Sequence, residues 1–347
     1  MLSAARLEEL LAPLKGLRIG LVGDLFLDRY LHLAAVEEYS IETGLEAYQI
    51  ERVVNSPGAL GTVLNNLAAL GVGKLLPLTV IGDDGHGYDL RKSLSRLPVD
   101  DTFILTDAER LTPTYTKPMR PMVDGSLMEL NRLDVRTRGP LSDEGTRRVL
   151  DLLPKLADAV DAIVVLDQVN ETDWGVVNAQ VRAGLAQLAA ARPEFLIYTD
   201  SRRRLQQFDF GVVKGNHHEV LLAVGETDCD APAPGSADWR RVEEAAKRLA
   251  LGARRMVFCT AGPAGILAMD REQRAVYAPA APVTGPIDIV GAGDSATAAI
   301  VTSLLAGASA IEAAEMANLA ASITIRKLGT TGTASPEELR ARLAEIS

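Results

Sequence analysis

The chain has 347 residues, 47% hydrophobic and 24% charged, which suits a soluble protein with a large core. Its formal charge of −10 argues against a nucleic-acid partner, which would need a basic face or stripe. Two cysteines, Cys229 and Cys259, exclude a disulfide framework or cysteine zinc site, and no apolar run approaches the ~18 residues of a membrane span, so a cytoplasmic setting is expected.

Leu7, Leu10, Leu11 and Leu14 recur at helical spacing among charged residues, predicting an amphipathic surface helix and not a signal peptide. Short β-branched runs follow at 18–23, 75–82, 161–167, 194–200, 210–215, 255–262 and 265–270. Between several of them, apolar residues at i, i+3, i+4 spacing predict helices: Leu60, Val63, Leu64, Leu67 and Ala68 in one, residues 241–251 in another. Such alternation implies βαβ units, hence an α/β fold with a mostly parallel sheet covered on both faces. Residues 30–54 and 111–134 break the pattern, with Tyr, Thr, Val and Ile but few helix formers. They predict a small β lid outside the main sheet, irregular surface loops being the alternative. The Pro/Ala/Gly-rich stretch 231–238 reads as a loop, and with no repeat or linker, residues 1–347 read as one domain.

Ligands on such sheets bind beyond the carboxyl ends of the strands. Those ends carry Gly23-Asp24, Asp167, Asp200, Lys214-Gly215-Asn216 and Thr260-Ala261-Gly262. In segment 285–307 a β-like run, Ile287 to Val290, meets Gly291-Ala292-Gly293 and then a helix rich in small residues. Free N–H groups and the dipole at such a helix start favour an anion, phosphate being the natural candidate. Asp294, in that first turn, could take the proton of a hydroxyl attacking a phosphoryl group, or simply cap the helix. An ordinary aspartate pKa of about 3.9 would keep it ionised. Neither G-x-x-x-x-G-K-[ST] nor a helix-opening G-x-G-x-x-G after a strand occurs.

DIVGAGD at 288–294 resembles the C-terminal signature of the phosphofructokinase-B type, ribokinase-like carbohydrate kinases. More segments are similar in family order: Gly23-Asp24 with Leu27-Asp28-Arg29-Tyr30, Ser56-Pro57-Gly58-Ala59, Ile81 to Gly87, Lys214-Gly215-Asn216 with Glu219, and Ala317-Asn318 through Lys327-Leu328-Gly329-Thr330. GDLFLDRY, residues 114–120, NRLD at 131–134 and residues 326–339 are most like the heptose-7-phosphate kinase domain of ADP-heptose biosynthesis.

The resemblance implies a ribokinase-like three-layer α/β/α sandwich that transfers the γ-phosphoryl group of ATP to a hydroxyl of a sugar or sugar phosphate. It implies Asp294 as general base and the backbone of Gly291, Ala292, Gly293 and Asp294 as the anion hole. Asp24, Asp28, Gly58 and Thr62 would line the sugar side, with Lys117, Arg120 and Arg132 on a lid closing over an anionic sugar. Lys214, Asn216, Glu219, Thr260, Gly262 and Asn318 would serve MgATP, Glu219 reaching Mg²⁺ through water. A monovalent cation assists some relatives, and a homodimer through the lid is implied. The chain ends where bifunctional relatives begin a nucleotidyltransferase domain, so that second activity is not expected.

Some residues depart from the family pattern. Ala59 replaces the second glycine of the N-terminal signature, Thr62 its sugar-contacting Asn, Ile289 a small residue or Thr, and Gln168 a Tyr of the heptose kinases. A nucleoside kinase, with Tyr48 and Tyr115 stacking on a base, and a non-catalytic sugar or nucleotide sensor are the alternatives. Arg202-Arg203-Arg204 reads as a solvated face or a phosphate site, and His217-His218 as a neighbouring pair without zinc-ligand spacing.

Overall fold

All seven strand runs read from the sequence join one nine-stranded sheet. Across the sheet the order is Ala275–Ala278, Ile266–Met269, Met256–Thr260, Val212–Asn216, Leu196–Ser201, Ala162–Asp167, Arg18–Gly23, Lys74–Gly82 and Ile104–Asp107. Pairing is parallel from Met256–Thr260 through to Ile104–Asp107 and antiparallel only in the first two pairings. The computed structural model describes residues 2–346 apart from 231, 252–254 and 330. Residue 231 of the predicted loop and Thr330 of the closing segment thus lie outside the described residues. No helix among the described residues is long and apolar enough to cross a membrane.

Two strands, Ile104–Asp107 and Ala275–Ala278, have no counterpart in the sequence reading. Each is a four-residue, partly exposed edge strand, too short to display a period. Ile287–Val290, conversely, forms no strand. Ile287, Ile289 and Val290 are exposed, and within this run Asp288 N donates to Ile325 O, and Val290 N to Asp288 Oδ1. The sheet has already ended at Ala275–Ala278, so no strand neighbours this apolar run.

Side chains alternate across the pleat, and the strands therefore feed two cores. Leu21, Val164, Leu166 and Phe258 enter one, which is closed by helices Ala292–Leu305 and Ala310–Thr324. Val22, Ile163, Val165 and Val257 enter the other, beneath helices Asp143–Ala159 and Ala237–Leu251. The N-terminal helix Ala4–Leu11 buries Leu7, Leu10 and Leu11 on the first core, as its leucine spacing predicts.

The lid stretches form a second sheet of five strands: Leu25–Leu33, Ile50–Ala59, Thr114–Pro121, Leu127–Glu129 and Leu133–Val135. It extends past 30–54 at both ends and runs from 114 to 135 against the expected 111–134, and residues 34–49 between its first two strands carry only the isolated bridge Tyr39–Glu46. Its second strand runs directly into helix Leu60–Ala69. At that junction Ala59, which stands in place of the family glycine, adopts φ 52° and ψ −114°, a conformation strained for any residue with a Cβ. Ala59→Gly is therefore expected to raise unfolding free energy by about 1 kcal/mol, relief of ~1–3 kcal/mol of strain exceeding the ~0.5–1 kcal/mol chain-entropy cost of glycine. Urea unfolding midpoints test this, and a lower midpoint would contradict it.

Candidate active site

Parallel register aligns the polar strand ends rung by rung. Ser201 pairs with Asp167, Asp200 with Lys214, and Asn216 with Thr260. Lys214 and Asp200 are both buried, with Nζ 2.8 Å from Oδ2, and Thr297 Oγ1 donates to the same carboxylate at 3.0 Å. Thr297 belongs to helix Ala292–Leu305, so this ion pair ties the sheet to the helix of the glycine turn.

Gly291 caps that helix at φ 84°, and a Cβ there would lie 2.5 Å from Thr331 Cγ2. A Cβ on Gly293 would come within 3.1 Å of Lys214 Nζ. Both glycines thus make room, one for the turn and one for the lysine beneath it. Asp294 follows in the first turn and faces a cavity of about 480 Å³. Burial and the nearby Asp200 push its pKa up to about 7, against the pull of Lys214 and Arg202. The expectation of an ordinary, fully ionised aspartate is corrected accordingly: the half-buried carboxylate gives up part of its water and sits near Asp200.

The same cavity is lined by Asp28, Thr62, Lys117, Arg132, Gly291 and Asp294, six of the residues singled out from the sequence. Lys117 Nζ lies 3.3 Å from Asp28 Oδ1 and donates to the Tyr30 hydroxyl at 3.2 Å. Gly58 acts one layer behind, since a Cβ there would fall 2.4 Å from Asp28 Oδ2. Arg132 stacks 4.3 Å over the Tyr115 ring and pairs with Asp134. The departures Ala59 and Gln168 line this cavity too.

A second cavity of about 560 Å³ adjoins the first and includes Asn216, His218 and Glu219. Asn216 and Glu219 form a reciprocal capping box on helix His217–Ala223. Burial and Asp200 raise the Glu219 pKa, with Lys214 opposing. Lys214 itself is held above its ordinary value: burial disfavours its charge, but Asp200 and Glu219 outweigh that. His218 pairs with Asp228, with the buried His217 ring against it.

Other sequence-predicted residues lie elsewhere. Asp24 is buried with both oxygens engaged, Oδ1 by Arg110 at 3.2 Å and Oδ2 by Val176 N at 3.0 Å, and it lines neither cavity. It fastens the sheet to the backbone at Val176, because the distant Arg110 folds against it and supplies an ion pair in place of solvent. Arg120 bonds to Glu46 and sits over Tyr48, away from both cavities. Asn318 donates both amide hydrogens, to Ala278 O and Pro279 O, bracing the edge strand. Thr260 ends its strand, and Gly262 opens the next turn at φ 54°. Asp200 and Arg136, which the sequence reading gave no role, are central to the ion pair and to the cavity wall respectively. Asp200's strand-end position was the signal available for it; nothing in the sequence marked Arg136.

The raised Asp294 pKa has a stability consequence. The folded state holds this proton up to pH of about 7, the unfolded chain only to about 3.9, so the contribution of Asp294 to stability is full below pH 4 and is lost as pH rises through 7. Asp294→Asn escapes that loss. Its melting temperature should match the parent near pH 4 and exceed it increasingly up to pH 8, and a difference constant with pH would contradict the shifted proton.

The profile described as "pfkB family carbohydrate kinase" matches residues 200–338. The chain is similar to a protein named bifunctional protein HldE of Caulobacter sp. strain K31, 31% identical over 93% of this chain and 62% of that protein. It is also 31% identical to the protein of the same name from Pelobacter propionicus, over 92% of this chain and 61% of that one. The chain thus spans less than two thirds of these relatives. Escherichia coli phosphofructokinase-2, solved with fructose-6-phosphate, shares the fold at a TM-score of 0.68 and 19% identity, covering 95% of this chain and 99% of that one. A ribokinase from Cryptococcus neoformans, solved with ADP, does so at 0.62 and 20%, covering 95% and 99%.

Proposed function

We propose that this chain is a pfkB-type carbohydrate kinase, as its match to that family's profile and its likeness to the HldE proteins support, and that its cleft transfers the γ-phosphoryl group of ATP to a hydroxyl of a sugar or sugar phosphate. The observation that carries this reading is Asp294, a cleft-facing carboxylate at a helix start with its pKa raised to about 7. A base whose pKa lies near the working pH removes a hydroxyl proton most effectively. The N–H groups of Gly291, Ala292, Gly293 and Asp294 would hold the phosphoryl oxygens at the positive end of the helix.

Asn216 and Glu219 line the cavity assigned to the nucleotide, with Lys214 buried beside Glu219, while Thr260, Gly262 and Asn318 line neither cavity. The carboxylate of Glu219, which lines the second cavity, suits a water-mediated contact to a Mg²⁺ ion that is held mainly by the nucleotide and its waters. When bound, that ion would neutralise phosphate charge. On the acceptor side Lys117, Arg132 and Arg136 line the cavity, donors able to meet an anionic acceptor of the sugar-phosphate class. The nucleoside alternative loses support, since Tyr48 and Tyr115 each already have a guanidinium over one ring face. The small sheet acts as a lid that keeps water from the phosphoryl group.

ADP release from MgATP across free sugars, sugar phosphates and nucleosides tests the reading. Turnover is expected with sugar phosphates, among them heptose 7-phosphate and fructose 6-phosphate, and should fall at least about 10³-fold in Asp294→Asn. Below pH 7 the parent's kcat/KM should fall about tenfold per pH unit as the base is protonated. Turnover that survives Asp294→Asn would overturn the assignment.

The small sheet and the segment between its first two strands leave the large apolar residues Ile41, Leu45, Val53 and Leu127 exposed. We read this as the contact of a homodimer. Sedimentation should give twice the 37.0 kDa chain mass, reduced to one chain by Ile41→Glu with Leu45→Glu. A parent protein that sediments as a monomer would contradict the dimer.

A further inference from the structure

The arginines at 202–204 have three different surroundings. Arg204 is buried: it clasps Asp167 through Nε at 2.9 Å and Nη2 at 2.6 Å, and its Nη1 reaches Asn170 O at 3.3 Å. Arg203 lines only the cavity of Asn216 and Glu219. Arg202 lines both cavities, and Asn170 is the one other residue shared between them.

Arg202 is anchored by its backbone and not by its side chain. Its N–H donates to Asp167 O at 3.2 Å, and Ser201 Oγ accepts the following turn's Arg204 N–H at 3.0 Å. The exposed guanidinium makes no hydrogen bond or ion pair with any described residue. Every other cation of the acceptor cavity has a partner: Lys117 has Asp28, while Arg132 and Arg136 share Asp134. A pinned backbone with an uncommitted cation, placed where the two cavities meet, matches what a group passing from one to the other requires.

We propose that Arg202 contacts the γ-phosphoryl group of ATP during transfer and neutralises the charge on its oxygens in the transition state. The proposal rests on the kinase reading above. In the step, the acceptor hydroxyl oxygen bonds to the γ-phosphorus while its proton passes to Asp294. The bond from phosphorus to the β–γ bridging oxygen breaks, and ADP leaves with that electron pair. Nothing is oxidised or reduced. Arg202 forms no covalent bond; its charge stabilises the phosphoryl oxygens most as the group passes between the leaving and attacking oxygens. The field of Arg202 already reaches both sides, lowering the proton affinities of Asp294 and of Glu219.

Two measurements on Arg202→Ala test this. With the acceptor that the parent turns over, kcat should fall about 10²- to 10⁴-fold with KM for the acceptor changed less than about threefold, and added methylguanidine should restore part of the rate. Arg203→Ala should instead change KM for ATP without that loss of kcat. Independently of any acceptor, MgADP with aluminium fluoride, a mimic of the transferring phosphoryl group, should bind the parent more tightly than MgADP alone. Arg202→Ala should lose that increment while MgADP binding stays as it was. An unaltered kcat, an effect confined to KM, an equal loss of kcat in Arg203→Ala, or an increment that survives Arg202→Ala would each overturn the role of Arg202. Failure of the kinase reading looks different: the unaltered protein would form no ADP with any acceptor and show no increment, which overturns both.

Discussion

The site is organised around one buried ion pair, Lys214 with Asp200. Three carboxylates converge on this end of the sheet, Asp200, Glu219 and Asp294, and Lys214 is the buried cation that acts on all of them. Its position requires Gly293, because a side chain there would meet the ammonium group. Thr297 bonds the same Asp200 oxygen, so the pair also fixes how the helix start sits on the sheet. Partial burial of Asp294 and the charge of the buried Asp200 raise its pKa further than Lys214 and Arg202 lower it. Structural pairing and proton affinity at this site therefore have the same cause.

The other half of the cleft is built by the small sheet, where local strain and polar pairing trade against stability. Gly58 leaves room for the Asp28 carboxylate, Lys117 balances it, and Tyr30 receives the lysine's second bond. Ala59 keeps a backbone conformation suited to glycine at the edge of the same cavity. Strain retained beside a cleft is common where the geometry serves a ligand. The small sheet and helix Leu60–Ala69 share this junction, which places Thr62 on the cavity wall within reach of the Gly291 turn.

Much of this was legible in the sequence. Long β-branched runs and a glycine turn before a small-residue helix depend on local sequence, and the seven runs all lie in the sheet. What could not be read depends on tertiary neighbours. Asp24 looked like a cleft residue until Arg110, 86 positions away, occupied it. Ile287–Val290 has strand composition but no strand beside it to pair with. Asp200 and Arg136 carry no motif, and the three arginines at 202–204 are indistinguishable until Asp167 and two backbone carbonyls claim Arg204. The Asp294 pKa belongs to the same class, since no local pattern reports how many acids share one lysine.

Calorimetric titration of MgATP into the Asp294→Asn protein tests the central claim most directly, because it separates chemistry from binding. If Asp294 is a base beside the phosphates, removing its charge should leave nucleotide affinity unchanged or tighter while ADP release is lost. A tenfold or greater weakening of MgATP binding would instead make Asp294 part of the nucleotide's binding site and contradict its role as the proton acceptor.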